Sequence, residues 1–401
     1  MKMTKDDRKR AMVVIVLLGL VSLFSDTIYE GARSVNGPYL ALLGANATLV
    51  GIIAGAGEFV GYGVRVISGY FSDKTRSYWL FTFIGYGLLI SVPMIALSGI
   101  WQIAALFMVF ERFGKALRSP SKDTILSMVS NRVGRGYGFG LHEAMDQLGA
   151  FIGPMIFTAI FSIYAISSGN ELRLYQKGYG LLLIPFFIVM ALLVFSRSLV
   201  PDPAKFEDVK EHEEKSDSFT RVFWFYSLFT FFSTTGFAVF TLIAYHLKVN
   251  SIVNDTLIPA FYAGAMIVDG IAALIVGKLY DKKGLNLLVL TPIITAPIAF
   301  TVFSKNIILI VIGVLFWGIV MGIHETIMKA AIADLTHINK RGLGYGLFNA
   351  IYGVSMLIGG GVMGFLYDSG NIILVGAFSL SMEIVAMIIF FYFFKKSFNF
   401  E

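Results

Sequence analysis

Residues 135–144 read Arg-Gly-Tyr-Gly-Phe-Gly-Leu-His-Glu-Ala, and residues 341–350 read Arg-Gly-Leu-Gly-Tyr-Gly-Leu-Phe-Asn-Ala. The two stretches align without a gap. A second pair lies at a similar offset, because Gly-Tyr-Phe-Ser-Asp-Lys-Thr-Arg at 69–76 and Gly-Lys-Leu-Tyr-Asp-Lys-Lys-Gly at 277–284 share the pattern Gly-x-x-x-Asp-basic. Two matches at nearly the same spacing predict a chain built from two halves of similar structure and like orientation.

The composition indicates that both halves lie in a membrane. Of the 401 residues, 56% are hydrophobic and 14% are Asp, Glu, Lys or Arg, whereas a soluble domain carries about 25% charged residues. This deficit argues against a soluble enzyme. The chain has no Cys, which excludes disulfides, thiol nucleophiles and Cys-ligated zinc. The net charge of +6 is interpreted as Lys and Arg gathered on one membrane face rather than as a nucleic-acid surface.

Apolar runs recur along the whole chain, and a membrane-spanning helix needs about 20 mostly apolar residues. The runs are continuous rather than alternating, which argues against a membrane β-barrel. The sequence therefore predicts an all-α polytopic membrane protein with twelve transmembrane helices in two six-helix, pseudo-symmetric halves. The twelve segments lie at about 11–43, 48–72, 79–98, 100–127, 137–166, 179–199, 220–249, 257–280, 286–304, 306–334, 343–368 and 371–394.

The distribution of Lys and Arg predicts the orientation. An even number of crossings places both termini on one side, and most Lys and Arg of the connecting segments fall on that side. The positive-inside rule then places both termini in the cytoplasm, with the chain multi-pass in the cytoplasmic membrane. The polar stretch 200–219 is expected to link an N-terminal bundle, 1–199, to a C-terminal bundle, 220–401.

Both repeated motifs resemble those of the major facilitator superfamily of secondary transporters. Residues 69–76 are similar to the loop motif between helices 2 and 3 of that family, and 277–284 to its degenerate copy. The pattern departs at Thr75, where the family usually has Gly. Residues 111–120 are similar to the Arg-bearing helix 4, although the Gln-Gly pair of the family is absent. The resemblance implies two helix bundles that open a central site alternately to each side.

A third resemblance concerns segment 5. Gly140, Gly149 and Gly153-Pro154 are similar to the antiporter motif of the family, although its closing Gly pair is missing. The functional interpretation of the Gly-x-x-x-Gly-Pro stretch is a hinge or a proton-tight kink. The alternative is a simple proline kink with close helix packing.

Ionisable groups inside membrane helices are functional candidates, because burying them is expensive. Asp26, Glu30 and Arg33 lie at i, i+4 and i+7, on one face of segment 1. Arg112, near the middle of segment 4, needs a carboxylate or an anionic substrate as its partner, and Asp26, Glu111 and Asp146 are the candidates. Seven residues are predicted to serve proton coupling or the substrate cavity: Asp26, Glu30, Arg33, Glu111, Arg112, Asp146 and Asp269.

A cytoplasmic gate is predicted from the repeated motifs and from segments 4 and 5. It would consist of a network of Arg118, Glu143 and Asp146 with the loop residue Asp73. The alternative is that these charges merely hold the helix ends together. The residues assigned to the gate are Gly69, Asp73, Arg76, Arg118, Arg135, Glu143, Gly277, Asp281 and Arg341.

We expect a secondary active transporter for a small solute, driven by a proton gradient without a cofactor, by antiport and in the direction of efflux. A proton symporter and a metal-ion exporter remain alternatives, although no resident metal site is expected. An apparent excess of acidic groups favours a cationic or neutral substrate. A zinc enzyme is disfavoured, since His324-Glu-Thr-Ile-Met328 lacks the second ligand of a zincin. Nucleic acid is not expected as a partner, and the chain is expected to be a monomer in the lipid bilayer.

Overall fold

The computed structural model describes residues 5–130, 135–164, 170–206, 219–336 and 341–394, and within these ranges the regular structure is helical. Eleven of its helices are long and apolar enough to cross a membrane. A further helix has the length but carries four charged side chains between Glu111 and Arg118. The twelve helices of the described part are α1 (Lys5–Leu42), α2 (Ala47–Thr75), α3 (Tyr78–Leu97), α4 (Trp101–Ser130), α5 (Arg135–Tyr164), α6 (Glu171–Leu199), α7 (Arg221–Val249), α8 (Leu257–Lys283), α9 (Gly284–Val302), α10 (Ile307–Leu335), α11 (Arg341–Asp368) and α12 (Ile372–Ile389).

The predicted all-α, twelve-helix fold is thereby confirmed. The largest difference at a boundary is in α6, which begins at Glu171 rather than near residue 179. Its first turn is polar, so hydropathy excluded it from the predicted segment. The Asn170 side chain accepts a hydrogen bond from the backbone N–H of Arg173 and so caps the helix start.

Several helices contain irregular turns. In α3, 3₁₀ turns lie on both sides of Pro93, and in α9 a 3₁₀ stretch, Gly284–Val289, precedes Pro292. Proline removes a backbone donor and disfavours the regular α-helix around it. The α7 helix is interrupted between Thr235 and Phe240, where Gly236–Val239 is not helical. The interruption contains no proline, so the sequence pattern gave no indication of it.

The described helices belong to two compact units. One comprises Met1–Arg33 with Val64–His212, and the other Ser34–Gly63 with Glu213–Glu401. The change near residue 212 falls within the expected linker. Residues 34–63, however, group with the second unit, whereas the sequence repeat assigned them to the first half. The division at 1–199, 200–219 and 220–401 therefore stays a prediction about the repeat.

Close packing between the backbones of α2 and α11 explains why residues 34–63 belong to the second unit. In the second unit, a Cβ atom added at Gly360 would lie 2.6 Å from the carbonyl oxygen of Gly51, so α2 and α11 approach each other at two glycines. The Asp368 carboxylate at the end of α11 accepts hydrogen bonds from the backbone N–H groups of Ala47 and Thr48, at 3.0 and 2.8 Å. It thereby satisfies donors that the first turn of α2 would leave unpaired.

In the first unit, α1 packs against α5 through the glycines of the antiporter-like motif. A Cβ atom at Gly153 would lie 2.6 Å from the backbone nitrogen of Gly31, and one at Gly149 would lie 3.0 Å from the carbonyl carbon of Leu23. The α5 helix runs without interruption through the buried Pro154. These glycines therefore set the spacing between the two helices.

We expect Gly153→Val to destabilise the first unit by about 2 kcal/mol or more, since overpacking against backbone atoms cannot be relieved by a rotamer change. The check is thermal unfolding of the purified protein in detergent. Gly140→Val is the matched control, because nothing lies within 4 Å of a Cβ atom at that exposed position of the same helix. Equal stability of the two variants would contradict this packing.

Candidate functional site

Helix α1 brings an acidic and a basic group to the same side as a tyrosine. Asp26, Tyr29 and Arg33 lie at i, i+3 and i+7, with Glu30 beside them. The Glu30 and Arg33 side chains pair at 3.8 Å, as their i, i+3 spacing on one helix allows. Asp26 is half-buried, and Asp146, Lys115, Glu30 and Lys122 are the charged groups that act on it.

The ring of Tyr29 is surrounded by cations. The ammonium nitrogen of Lys115 lies 3.8 Å from its centroid, and the guanidinium carbons of Arg112 and Arg33 lie at 4.5 and 5.9 Å. Tyr29 is buried, so these cation–π interactions are partly shielded from water, where each is worth more than about 1 kcal/mol. The Tyr29 ring therefore gathers positive charge from α4 and α1, and one of these cations, Lys115, also acts electrostatically on Asp26.

A buried ion pair lies within α4. The Arg118 guanidinium contacts the Glu111 carboxylate at 3.3 Å and donates a hydrogen bond to the carbonyl of Gly85 at 3.3 Å. It also lies over the Tyr86 ring, 4.9 Å from the centroid. Arg112 reaches the other oxygen of Glu111 at 3.8 Å. Glu111, one of the three partners considered for Arg112, is therefore in contact with it.

His142 connects α1, α4 and α5. Its Nε2 lies 2.8 Å from the Ser22 hydroxyl and 3.0 Å from the Lys122 ammonium, and its Nδ1 lies 3.4 Å from an Asp146 oxygen. An ammonium group can only donate, so Nε2 is the accepting nitrogen and a neutral imidazole carries its hydrogen on Nδ1, toward Asp146. Lys122, His142 and Asp146 thus form a continuous relay of contacts, and Lys122 and Asp146 both act electrostatically on Asp26.

The residues of the predicted gate make other contacts in this structure, so the network of Arg118 with Glu143, Asp146 and Asp73 stays a prediction. Arg118 is occupied by Glu111, Asp146 faces His142, and Glu143 is exposed. Asp73 is exposed at the end of α2 and hydrogen-bonds the Tyr78 side chain. The i, i+3 and i+4 spacings correctly placed these groups on shared faces but could not rank competing partners on neighbouring turns.

The other gate positions are described only in part. A Cβ atom added at Gly69 would lie 3.6 Å from the Pro120 side chain, and one added at Gly277 would lie 3.3 Å from the Thr326 side chain. Arg76 is exposed and adopts φ 52°, whereas Thr75, where the family usually has Gly, is still helical. The side chains of Arg135, Asp281 and Arg341 lie outside the described part of the structure, so their gating role stays a prediction.

Asp269 belongs to the second unit rather than to this cluster. It is buried on α8, where α10 packs so closely that a Cβ atom at Gly322 would lie 2.6 Å from the Asp269 carbonyl oxygen. In the same unit, His324 lies with its ring 5.2 Å from that of Phe237, measured between centroids. A role for Asp269 in coupling or substrate binding stays a prediction.

The charged cluster on α1, α4 and α5 shows no excess of acidic over basic groups. Among its described residues, five cationic side chains (Arg33, Arg112, Lys115, Arg118 and Lys122) accompany five carboxylates (Asp26, Glu30, Glu111, Asp123 and Asp146). Tyr29, Ser22 and Lys122 had not been singled out as site residues. Lys122 extends the stripe of Lys115 and Arg118 at i+7 and i+4, so its spacing could have indicated it.

Within the described residues there is no group of three or more His, Asp or Glu side chains placed to hold a metal ion. In the cluster on α1, α4 and α5, Glu30, Glu111 and Asp146 each contact a neighbouring Lys, Arg or His side chain instead.

A sequence model of the Major Facilitator Superfamily matches residues 15–328 and 256–398. This chain belongs to the Major Facilitator Superfamily. An uncharacterized protein of Mycobacterium tuberculosis (strain ATCC 25618 / H37Rv) is 35% identical over 385 residues, covering 94% of this chain and 92% of that protein. An uncharacterized transporter of the same type from Methanocaldococcus jannaschii is 26% identical over 381 residues, covering 91% of each.

Among solved structures, the nucleoside transporter NupG superposes with a TM-score of 0.71 at 14% identity, covering 94% of this chain and 99% of that chain. At this identity the likeness shows the fold alone. The superfamily membership and the fold indicate a multi-pass secondary transporter rather than an enzyme.

Proposed function

We propose that this superfamily member exchanges protons for a small solute by alternating access and thereby exports the solute. The observation that carries the proposal is Asp26. It is half-buried on α1, next to Asp146, Lys115 and Lys122, and it lies beside a relay that contains a histidine. A carboxyl group in this setting can exchange a proton or attract a substrate group, and it cannot do both at once.

Antiport follows if the proton and the solute cannot bind at Asp26 at the same time. Arrival of the solute near Asp26 would displace its proton. Asp146, which acts electrostatically on Asp26, and the neutral His142 that it contacts are the groups that could accept that proton. Return of the proton in the other conformation would release the solute. The similarity of Gly140, Gly149 and Gly153-Pro154 to the antiporter motif supports this direction over symport.

The solute is a small molecule that would contact both acidic and basic side chains of the protein. Asp26 and Asp146 supply negative charge, whereas Arg112 and Lys115 supply positive charge against Tyr29. Such a surface gives a purely cationic solute no advantage. A zwitterionic or uncharged solute fits this surface at least as well as a cation does. A panel of transport probes decides between these classes of solute.

The test is flux into proteoliposomes with an imposed pH gradient, using alanine, glucose, ethidium and manganese as probes and protein-free liposomes as the control. For antiport, an acidic lumen should drive accumulation of one probe, and a pH dye in the lumen should report alkalinisation as the probe enters. Accumulation driven by an alkaline lumen would instead establish symport. If the flux of every probe is independent of the pH gradient, proton coupling is refuted.

A further inference from the structure

The α7 helix is interrupted in the middle of the second unit, and the interruption is held by side chains of two other helices. Phe237 and Ala238 are buried. The Ser379 hydroxyl donates a hydrogen bond to the carbonyl of Gly236 at 2.6 Å, and the Trp317 indole donates to the carbonyl of Ala238 at 2.8 Å. Irregular backbone at membrane depth persists only where its polar groups are satisfied within the protein.

A carboxyl group lies against this interruption. Glu383 is one turn after Ser379 on α12, and a Cβ atom added at Gly236 would lie 2.8 Å from its Oε1. Its Oε2 accepts a hydrogen bond from the Ser233 hydroxyl at 3.0 Å, whereas Oε1 has no hydrogen-bond partner among the described residues. Both side chains are buried, and Glu383 lies about 17 Å along α12 from Ile372, near the middle of the helix.

No cation in the described part of the chain balances this carboxyl group. Helix α12 packs against α7, α9 and α11, and α9 carries no ionisable side chain. Burial and the Ser233 hydrogen bond are the two factors that act on the ionisation of the Glu383 carboxyl group. The ionisable side chains described on the surrounding segments are Arg221, Tyr226, Tyr245, His246, Lys248, Tyr345, Tyr352, Tyr367, Asp368 and Tyr392, of which Tyr392 lines the same cavity as Glu383.

An unpaired buried carboxylate is too costly to persist in such surroundings, so the group must take up a proton or a bound cation. We propose that Glu383, with the Ser233 hydroxyl and the interrupted segment Gly236–Val239, forms a second proton-binding site in the C-terminal unit. Loss of the proton leaves a charge against the interruption of α7, and this favours a rearrangement of that segment. The role of the site in transport rests on the proposed proton coupling, whereas its exchange of a proton does not.

A cavity beside Glu383 makes the site accessible to a chemical probe. Its volume is about 510 Å³, and apolar side chains of α9 and α12, including Pro292, Ile293 and Met387, line it together with Glu383. Dicyclohexylcarbodiimide is an apolar reagent that reacts with protonated carboxyl groups. The carboxyl O–H adds across one C=N bond, and acyl migration from oxygen to nitrogen gives a stable N-acylurea without a leaving group.

The experiment is carbodiimide labelling of the purified full-length protein between about pH 6 and about pH 10, with mass spectrometry of the Glu383 peptide. We expect labelling that falls by about tenfold or more over this range and that is absent in Glu383→Gln. In Ser233→Ala the carboxylate loses its hydrogen-bond donor, so labelling should extend to higher pH. Thermal unfolding establishes that both variants are folded.

Labelling that stays constant across the pH range would show a permanently neutral structural acid and would overturn the proposal. Suppression by sodium chloride but not by choline chloride at constant pH would assign the site to sodium and overturn it equally. Flux in proteoliposomes is measured in parallel. If wild-type flux ignores the pH gradient while Glu383 labelling still depends on pH, the proposed transport function fails and the proton site stands.

Discussion

Replacement of Asp26 by Asn abolishes transport that is driven by a pH gradient. The amide keeps the size of the side chain but can neither release a proton nor hold the negative charge beside Lys115 and Lys122. We expect accumulation of the transported probe in proteoliposomes with an acidic lumen to fall to the level of protein-free liposomes. Exchange of labelled for unlabelled probe without a gradient should persist, because it needs no net movement of protons.

The matched control is Asp202→Asn, an exposed acid of the same unit that lies after α6. It should leave gradient-driven accumulation within about twofold of wild type, since exposed charges act weakly through water. If Asp26→Asn retains wild-type coupling, Asp26 is not the proton carrier, and Asp146 becomes the leading candidate in the cluster.

Replacement of Arg118 by Met destabilises the protein strongly. Glu111 is buried, and its closest cationic contact is Arg118 at 3.3 Å. Removing one partner of a buried ion pair costs about 3–5 kcal/mol, because the other charge is left without its partner. Arg112, at 3.8 Å from Glu111, retains part of the interaction, so we expect a loss of about 3 kcal/mol in the free energy of unfolding.

The measurement is reversible unfolding in mixed detergent micelles, followed by tryptophan fluorescence. In the double variant Glu111→Gln with Arg118→Met, most of the lost stability should return, since no buried charge is then orphaned. The control Arg197→Met removes an exposed cation that lies over the Phe83 ring at 5.8 Å, and it should cost less than about 1 kcal/mol. Equal losses for Arg118→Met and Arg197→Met would show that the Glu111 pair is not a buried interaction.

Helix number and approximate limits could be predicted from sequence because length and apolarity are imposed by the bilayer itself. The predicted segment 257–280 corresponds to α8, which begins at Leu257. The interruption of α7 could not be predicted. It depends on Ser379 and Trp317, which come from helices far along the chain and satisfy the backbone groups of residues 236 and 238.

For the candidate site, helical periodicity could predict which residues share a face of one helix. Periodicity placed Asp26 and Arg33 on one face of α1. It could not choose between a partner on the same helix and partners on other helices, so Arg118 is predicted in the gate although Glu111, seven residues earlier on the same helix, binds it. Glu383 had no explanation from sequence, since its surroundings are set by Ser233 and Gly236, which lie on another helix.

Competition between solute and proton for Asp26 is tested most directly by calorimetric titration of the purified protein in two buffers of different ionisation enthalpy. The titrant is the probe that the flux panel identifies, and the difference between the two binding enthalpies gives the number of protons exchanged. We predict the release of about one proton per solute bound at neutral pH and none in Asp26→Asn. Binding of the solute with uptake of a proton, or with no proton exchange in the wild type, would contradict antiport through Asp26.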